Sequence, residues 1–409
     1  MKKQSGKFTP QVRFRGFSNE WSADILGNRV EFFSGLTYSP GNVQKGRGTL
    51  VLRSSNVKDG EIVDADNVYV SPDVVNCKNV EIGDVIVVVR NGSRSLIGKH
   101  AQIKKEMGNT VIGAFMTGIA SSSPAFINAL LDTAKFDKEV AKSLGATINQ
   151  ITTGNFREMA FFFPECVEQD KIGAYFNKLD RQVQLYQHKH DKLLTLKQAM
   201  LQKMFPKEGA TVPEIRFKGF NGSWGVNKLE EISEIIGGGT PNTSICEYWG
   251  GDIDWYSPTE IGSTVYASGS VRKITPAGFA SCSAKMLPAY KTVLFTSRAG
   301  IGDMAILTKP GCTNQGFQSL VVRDDVDPYF IYSMGYKLKK YALRHASGST
   351  FLEISGKQLQ KMEVLLPTYQ EQQKIGTYFR KLDELIAQHA AQIQKLKQIK
   401  SGCLGKMFV

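Results

Sequence analysis

Two stretches of the chain, 169–205 and 370–409, repeat apolar side chains at alternating spacings of three and four residues. This pattern is typical of a helix with a single apolar seam. No proline interrupts either stretch, and at roughly 1.5 Å per residue each predicted helix could extend about 55 Å. The seam positions expected to face a partner helix are Ile172, Phe176, Leu179, Val183, Ile375, Phe379, Leu382 and Ile386.

A helix of this length with one apolar seam needs a packing partner. If an approximate two-fold axis relates the two halves of the chain, each helix is the partner of the other and the two run antiparallel. The alternative is that each helix packs on its own globular domain. Lysines interrupt the two seams at Lys197 and Lys400.

The remaining sequence predicts mixed α/β domains. The runs 84–90 and 292–298 are rich in apolar residues and read as strands, and they end in Arg90 and Arg298. A glycine-bearing loop follows each run. Loops that a rigid scaffold positions commonly carry the groups that recognise a ligand.

The chain is one frame written twice, with an offset of 203 residues. Residues 10–17, PQVRFRGF, return as PEIRFKGF at 213–220, and Trp21 returns as Trp224. The segment 169–180 returns at 372–383, and Lys-Met-Phe at 203–205 returns at 406–408. Between these borders, 23–142 and 226–345 share no sustained identity. The pattern favours two modules that hold the same partner but recognise different targets; the alternative is an old duplication whose middle has drifted.

These borders predict four segments. A first target-reading domain occupies 1–168, a helical spacer 169–212, a second reading domain 213–366 and a second helical spacer 367–409. The expected fold class is mixed α/β: two α+β domains separated by two long antiparallel coiled-coil helices, with a pseudo-two-fold internal duplication.

The charge indicates a polyanionic partner. The formal net charge of the 409 residues is +13, and the two helical stretches together carry +8 of it. A basic excess alone does not choose between nucleic acid and a membrane surface. However, no apolar run approaches the roughly 18 residues of a membrane span, and the polar start at Met1 is unlike a signal peptide. Six scattered cysteines without a C-x-x-C pair fit a reducing cytoplasm.

Candidate DNA-reading residues lie near the ends of predicted strands. Arginine and lysine suit bidentate contact with guanine, and asparagine and glutamine suit adenine. The candidates are Arg53, Asn56, Arg90, Asn91, Arg94 and Lys99 in the first insert, and Asn242, Tyr256, Arg298, Asn314, Gln315 and Gln318 in the second. Each of them could equally be a turn residue or a surface charge.

Sequence motifs of common enzymes are missing. Residues 92–100 resemble a P-loop but are one residue too long and lack its hydroxyl, which argues against ATP binding. The five histidines form no H-E-x-x-H pattern, and His188 and His190 would point apart on a helix, so no metal site is predicted.

The duplicated frame and several insert motifs resemble the specificity subunits of type I restriction-modification systems. The helix starts at 163–173 and 366–376, of the form F/L-P-x-x-x-x-Q-x-K-I-G, carry this resemblance, together with 238–244, 247–249, 252–255 and 314–317 in the second insert and 90–92 and 97–99 in the first. It covers nearly the whole chain.

The resemblance implies a non-catalytic, cytoplasmic subunit that binds double-stranded DNA at a bipartite site. Each globular domain would read one half-site, and the helices would set the spacer and dock two methyltransferase subunits. Restriction/translocase subunits would join the assembly. This chain would bind no cofactor, because S-adenosylmethionine, ATP and Mg would belong to its partners. The alternatives are a nuclease-type restriction component, for which a metal-binding carboxylate cluster would be required, and a structural adaptor that binds only protein.

Overall fold

The first half of the chain forms a mixed α/β domain, called domain 1. The computed structural model describes residues 8–144, 149–348 and 352–409. The strands of domain 1 are β1 (Ser22–Ile25), β2 (Glu31–Ser34), β3 (Val43–Gln44), β4 (Thr49–Leu52), β5 (Val57–Lys58), β6 (Glu61–Ile62), β7 (Val68–Val70), β8 (Val85–Val88), β9 (His100–Gln102), β10 (Thr110–Ile112), β11 (Met116–Ala120) and β12 (Ala160–Phe163). Its helices are α1 (Pro124–Leu131), α2 (Ala134–Ser143) and α3 (Thr153–Glu158), and the long helix α4 (Cys166–Lys203) follows.

The second half repeats this plan as domain 2. Its strands are β13 (Gly225–Lys228), β14 (Ser233–Gly237), β15 (Trp249–Tyr256), β16 (Tyr266–Ala267), β17 (Arg272–Ile274), β18 (Thr292–Phe295), β19 (Met304–Leu307), β20 (Gly311–Thr313), β21 (Gln318–Val322) and β22 (Glu363–Leu366). Its helices are α5 (Leu229–Ile232), α6 (Pro276–Ala280), α7 (Pro328–Ser333), α8 (Gly335–His345) and α9 (Gly356–Gln360), and the long helix α10 (Tyr369–Met407) follows.

The two inserts share one strand order although their sequences differ. In domain 1 one sheet has the order β2-β11-β8-β9 and another contains β10-β4-β7. In domain 2 the corresponding orders are β14-β21-β18-β19 and β20-β15-β17. The directions also agree, since β10 pairs with β4 in parallel and β20 pairs with β15 in parallel. The inserts are therefore two versions of one fold.

The matched borders of the repeat make matched contacts. Arg13 binds Glu168 through two hydrogen bonds of 2.6 and 2.7 Å, and Arg216 binds Glu371 through two of 2.7 and 2.8 Å. Both glutamates are almost fully buried, so each needs the paired arginine to offset its lost hydration. These contacts fix the start of each long helix on its own domain.

The end of each long helix also packs in an equivalent way. Phe205, after α4, stacks on Phe379 with ring centroids 6.1 Å apart, and Phe408, after α10, lies 5.9 Å from Phe176. The backbone repeats this equivalence, because the amide of Ile215 donates to the carbonyl of Lys203 as that of Val12 does to Lys406.

The chain divides into two compact units, residues 1–186 with 392–409 and residues 187–391. In the first unit, Asp180 of α4 contacts Lys400 of α10, and Tyr175, five residues earlier in α4, contacts Cys403, three residues later in α10. The two helices therefore run antiparallel, as predicted. In the second unit Lys197 of α4 forms an ion pair with Asp383 of α10.

The apolar seams serve both packing modes that the sequence left open. Ile172, Phe176 and Leu179 lie in a core that contains Phe126 of domain 1 and Leu396 of α10. In the second unit Ile375, Phe379 and Leu382 occupy the equivalent core with residues of domain 2 and of α4. Val183 and Ile386 are half-buried. Each helix therefore packs on its own domain and on the other helix at once.

Across the described ranges 8–144, 149–348 and 352–409, no helix combines the length and the apolar character that a membrane crossing requires.

Candidate nucleic-acid interface

In domain 2, the loops that follow four strands meet at one edge. After β14, the amide of Gly239 donates to the carbonyl of Thr313 at 2.9 Å, and after β18 that of Ser297 donates to Gly316 at 2.8 Å. The amide of Asn314 donates to Tyr256, the last residue of β15. We call the loops 238–244, 257–260, 296–298 and 314–317 the recognition edge of domain 2.

The recognition edge of domain 2 requires glycine where two of its loops meet. A Cβ on Gly238 would lie 2.1 Å from the carbonyl oxygen of Asn314, so no other residue fits there. The hydroxyl of Thr240 donates to the side-chain oxygen of Gln315 in the facing loop. The segments 238–244 and 314–317, which the sequence marked separately, are thus contact partners.

Five of the six candidate readers of domain 2 lie at or beside this edge with accessible side chains. Gln315 and Asn242 are exposed, and Arg298, Asn314 and Gln318 are half-buried. The side-chain oxygen of Asn314 accepts a hydrogen bond from the amide of Gly316 at 2.8 Å, which leaves its NH₂ group to donate. The edge of domain 2 is thus rich in amide side chains.

Domain 1 gathers its candidate readers around Ser54. The loop after β4 holds Ser54, whose hydroxyl accepts a hydrogen bond from the amide group of Asn91 at 3.0 Å. The ammonium group of Lys99 lies 3.5 Å from the Ser54 carbonyl, and Arg53 donates to the carbonyl of Asp66 at 2.6 Å. We call the loops 53–56, 89–99 and 113–115 the recognition edge of domain 1.

An exposed aromatic side chain, which the sequence analysis missed, belongs to the edge of domain 1. Phe115 is 53% exposed, and the guanidinium of the exposed Arg90 lies 4.9 Å from the centre of its ring. A groove of 690 Å³ opens beside it, with Tyr38 and Arg53 in its wall. Arg94 is exposed in the same loop. Cationic groups therefore dominate this edge.

Two predicted readers are corrected by the structure. Asn56 has no exposed surface, and its amide group donates to the carbonyl of Ala65 at 2.7 Å while its oxygen accepts from the amide of Arg53 at 2.9 Å. Tyr256 is 1% exposed, and burial is the main cause that raises the pKa of its phenol. A buried side chain cannot reach a base edge, so both residues have structural roles.

The lysine in the α10 seam neutralises two carboxylates. The ammonium group of Lys400 lies 2.6 Å from Asp180 of α4 and 2.7 Å from Asp132, which follows α1. Burial would raise the pKa of Asp132, but His100 and Lys400 lower it to about 2. Burial would likewise lower the pKa of Lys400, but the two carboxylates raise it. This network joins domain 1 to both long helices.

Within the described part of the chain, no three His, Cys, Asp or Glu side chains are grouped closely enough to hold a metal ion.

Comparisons with known proteins agree with this architecture. A family model described as the type I restriction modification DNA specificity domain matches residues 221–398. The type I restriction enzyme MjaIX specificity subunit of Methanocaldococcus jannaschii is 39% identical over 191 residues, which are 46% of this chain and 44% of that protein. The match therefore spans less than half the length of that relative.

A longer match and a solved structure extend the likeness. The type I restriction enzyme HindI specificity subunit of Haemophilus influenzae is 23% identical over 381 residues, which cover 74% of this chain and 82% of that protein. A crystal structure of the type I restriction-modification system S subunit from M. genitalium has a TM-score of 0.68 at 15% identity and covers 98% of this chain and 99% of its own. At that identity it is the fold that is shared. Residues 221–398 thus match the type I restriction modification DNA specificity domain, and the chain as a whole is similar to specificity subunits of type I restriction systems in sequence and in fold.

Proposed function

We propose that this chain binds a bipartite DNA site and directs methyltransferase and restriction subunits to it, with each domain reading one half-site. One observation carries the proposal: two domains of one strand order, mounted on one repeated frame, present unlike recognition edges. A conserved scaffold with different loops is the arrangement expected when two readers hold the same partner and recognise different targets.

The chemistry of the two edges suits direct readout of bases. Arg90, Arg94 and Lys99 give domain 1 donors for guanine, while Asn314 and Gln315 give domain 2 the amide pairs that match adenine. The basic charge of the chain, +13 overall, would add phosphate contacts, which strengthen binding without reading sequence. The two halves of the site should therefore differ in sequence.

The repeated frame suits the docking of two copies of one partner. The paired contacts of Arg13 with Glu168 and of Arg216 with Glu371 give the two helix starts the same local structure. Two methyltransferase subunits would therefore find equivalent surfaces. S-adenosylmethionine, ATP and Mg would be bound by the partner subunits, where methylation, translocation and cleavage would take place.

The test is reconstitution with the methyltransferase subunit of the same system. We expect two methyltransferase copies per chain, measured by native mass spectrometry, and methylation confined to one bipartite motif, mapped by long-read sequencing. Gln315→Ala should relax the half-site read by domain 2 and leave the other half unchanged. Asn221→Ala, which alters an exposed amide side chain before β13 and outside both long helices, is the matched control and should leave both halves intact.

One methyltransferase per chain, or methylation without sequence preference, would contradict the proposal. So would a Gln315→Ala variant that changes both halves equally, because the two domains would then not read separate half-sites.

A further inference from the structure

An arginine that the sequence analysis did not single out lies on a tryptophan in domain 2. The guanidinium carbon of Arg272, on β17, is 3.6 Å from the ring centre of Trp249 and 5.5 Å from that of Trp255, both on β15. The two indoles meet edge to face, with centroids 5.1 Å apart. Arg272 itself is exposed. Stacking on an aromatic face holds a guanidinium in a fixed plane.

The same two indoles hold the glycine-rich loop of the recognition edge. The indole N–H of Trp255 donates to the carbonyl of Gly239 at 2.8 Å, and that of Trp249 donates to the carbonyl of Asn242 at 3.2 Å. Through Thr240 this loop is hydrogen-bonded to Gln315. Arg272 therefore lies beside the recognition edge of domain 2, on the two indoles that hold its 238–244 loop.

In the described part of domain 2, no carboxylate forms an ion pair with Arg272. The carboxylate nearest along the paired strand, that of Asp254, accepts from Ser270 and lies 3.4 Å from the ammonium group of Lys273. Because Trp249 lies against one face of the guanidinium, its in-plane N–H groups remain available to donate.

We propose that Arg272 is a specificity-determining residue of domain 2 that donates two hydrogen bonds to O6 and N7 of one guanine in the major groove. The inference rests on the proposed DNA-reading function and adds a named base to it. A fixed planar fork beside amide side chains fits the bidentate guanine contact, whereas a phosphate contact needs only a mobile charge at the margin. Trp249 is the positioning residue, as Phe115 is for Arg90 in domain 1. The half-site read by domain 2 therefore contains a G·C pair.

The experiment uses the full chain in complex with its methyltransferase subunits and measures binding to duplexes that carry the recognised site. Each guanine of the domain 2 half-site is replaced in turn by 7-deazaguanine, which lacks the N7 acceptor. We expect one replacement to weaken wild-type binding by roughly 10-fold and Arg272→Gln to weaken binding to unmodified DNA by roughly 10- to 100-fold. At that same position Arg272→Gln should be indifferent to the replacement, since the contact is already absent.

Three further variants define the mechanism. Arg272→Lys keeps the charge and can still donate to guanine but loses the planar fork that Trp249 holds, so at that guanine it should lie between the wild type and Arg272→Gln in affinity and in sensitivity to the replacement. Trp249→Leu removes the platform and should weaken the same position. Arg323→Gln is the matched control. This exposed arginine follows β21, and because β21 runs antiparallel to β14 and β18, its end lies at the edge of the sheet opposite the recognition edge. Its side chain lies 3.4 Å from the Glu230 carbonyl. It should bind as the wild type does.

Several outcomes would overturn the inference. If Arg272→Gln and the wild type lose the same factor at every 7-deazaguanine position, Arg272 contacts no N7. If Arg272→Lys restores full affinity and Arg272→Gln only reduces the salt dependence, Arg272 binds a phosphate. A domain 2 half-site without guanine also refutes it. If Arg272→Gln fails to fold, Arg272→Lys and Trp249→Leu provide the same comparison. A wild-type complex without sequence preference would instead remove the proposed function, and this inference with it.

Discussion

Two glycines near the start of the long helices show how single residues set the packing of each domain. A Cβ on Gly173 of α4 would lie 2.6 Å from the backbone nitrogen of Phe126, and one on Gly376 of α10 would lie 2.3 Å from the carboxylate of Asp327. Such distances are far inside van der Waals contact. The repeated K-I-G sequence therefore marks a point where each long helix lies close against the start of a preceding domain helix, α1 for α4 and α7 for α10.

Gly173→Ala should destabilise the first unit. Because the new methyl group meets backbone rather than a flexible side chain, the helix must shift, at a cost of about 1–3 kcal/mol. Gly402→Ala on α10 is the control, since a Cβ there meets nothing within 4 Å, and it should stabilise the helix by about 1 kcal/mol. Thermal unfolding of the two variants should shift in opposite directions. Equal shifts would mean that the close approach at Gly173 has no energetic role.

At the scale of the elements, the two long helices form two equivalent lysine–aspartate ion pairs, Lys400 with Asp180 and Lys197 with Asp383, in different surroundings. Lys400 faces two carboxylates, Asp132 and Asp180, whereas Lys197 faces Asp383, which also accepts a hydrogen bond from the hydroxyl of Tyr329 at 2.8 Å. The removal of one partner from a buried ion pair is far more destabilising than the net value of the pair. The two lysines should therefore contribute unequally.

Lys400→Met should lower the free energy of unfolding by about 3 kcal/mol, because Asp180 loses its counter-charge and Asp132 keeps only His100 as a partner. Lys197→Met should lower it by less. The difference should depend on pH. The pKa of Asp132 is lowered in the folded chain to about 2, so its contribution is present above its unfolded pKa of 3.8 and is lost as the pH falls toward 2.

The deficit of Lys400→Met, measured by urea unfolding, should therefore shrink between pH 5 and pH 2, since protonated carboxylates no longer need the lysine. A deficit that stays constant over this range would show that Lys400 stabilises the unit through packing of its aliphatic stem instead.

At the scale of the whole molecule, α4 and α10 are the segments proposed to set the spacer between half-sites. They contain 38 and 39 residues, and roughly 1.5 Å of rise per residue gives each a length of nearly 60 Å. Continuous helices transmit a change of length directly, because each added residue extends the axis by a fixed step.

An insertion of four helical residues after Gln187, with four matching residues after Ala390, should lengthen the spacer. The added rise is about 6 Å, close to two base pairs of DNA, and neither half-site should change. The same four residues placed in the loop 45–48, which precedes β4 at the end opposite its recognition loop, should leave the spacer unaltered. Methylation mapping measures both results, and an unchanged spacer in the helical insertion would refute the proposal that the two helices set the spacer.

The sequence alone determined the two long helices and the borders of the duplication, whereas the contacts between the helices showed which of the open packing arrangements they adopt. These depend on local periodicity, which a heptad pattern and a repeat of 203 residues display directly. Local sequence also determines where α3 and α9 begin, since Thr152 and Ser355, 203 residues apart, are both N-cap residues. The family resemblance followed from these features.

Only the tertiary structure decided that the two dissimilar inserts share one strand order and which of their polar residues reach the surface. Strand pairing joins residues far apart in the chain, and a core tolerates many apolar replacements while its topology stays fixed, so identity at fixed offset could not reveal it. For the same reason Asn56 and Tyr256 resembled readers but are buried, and nothing in the sequence around Arg272 indicated that it lies on Trp249. Burial and stacking are properties of the neighbours that folding brings together, not of a residue and its sequence context.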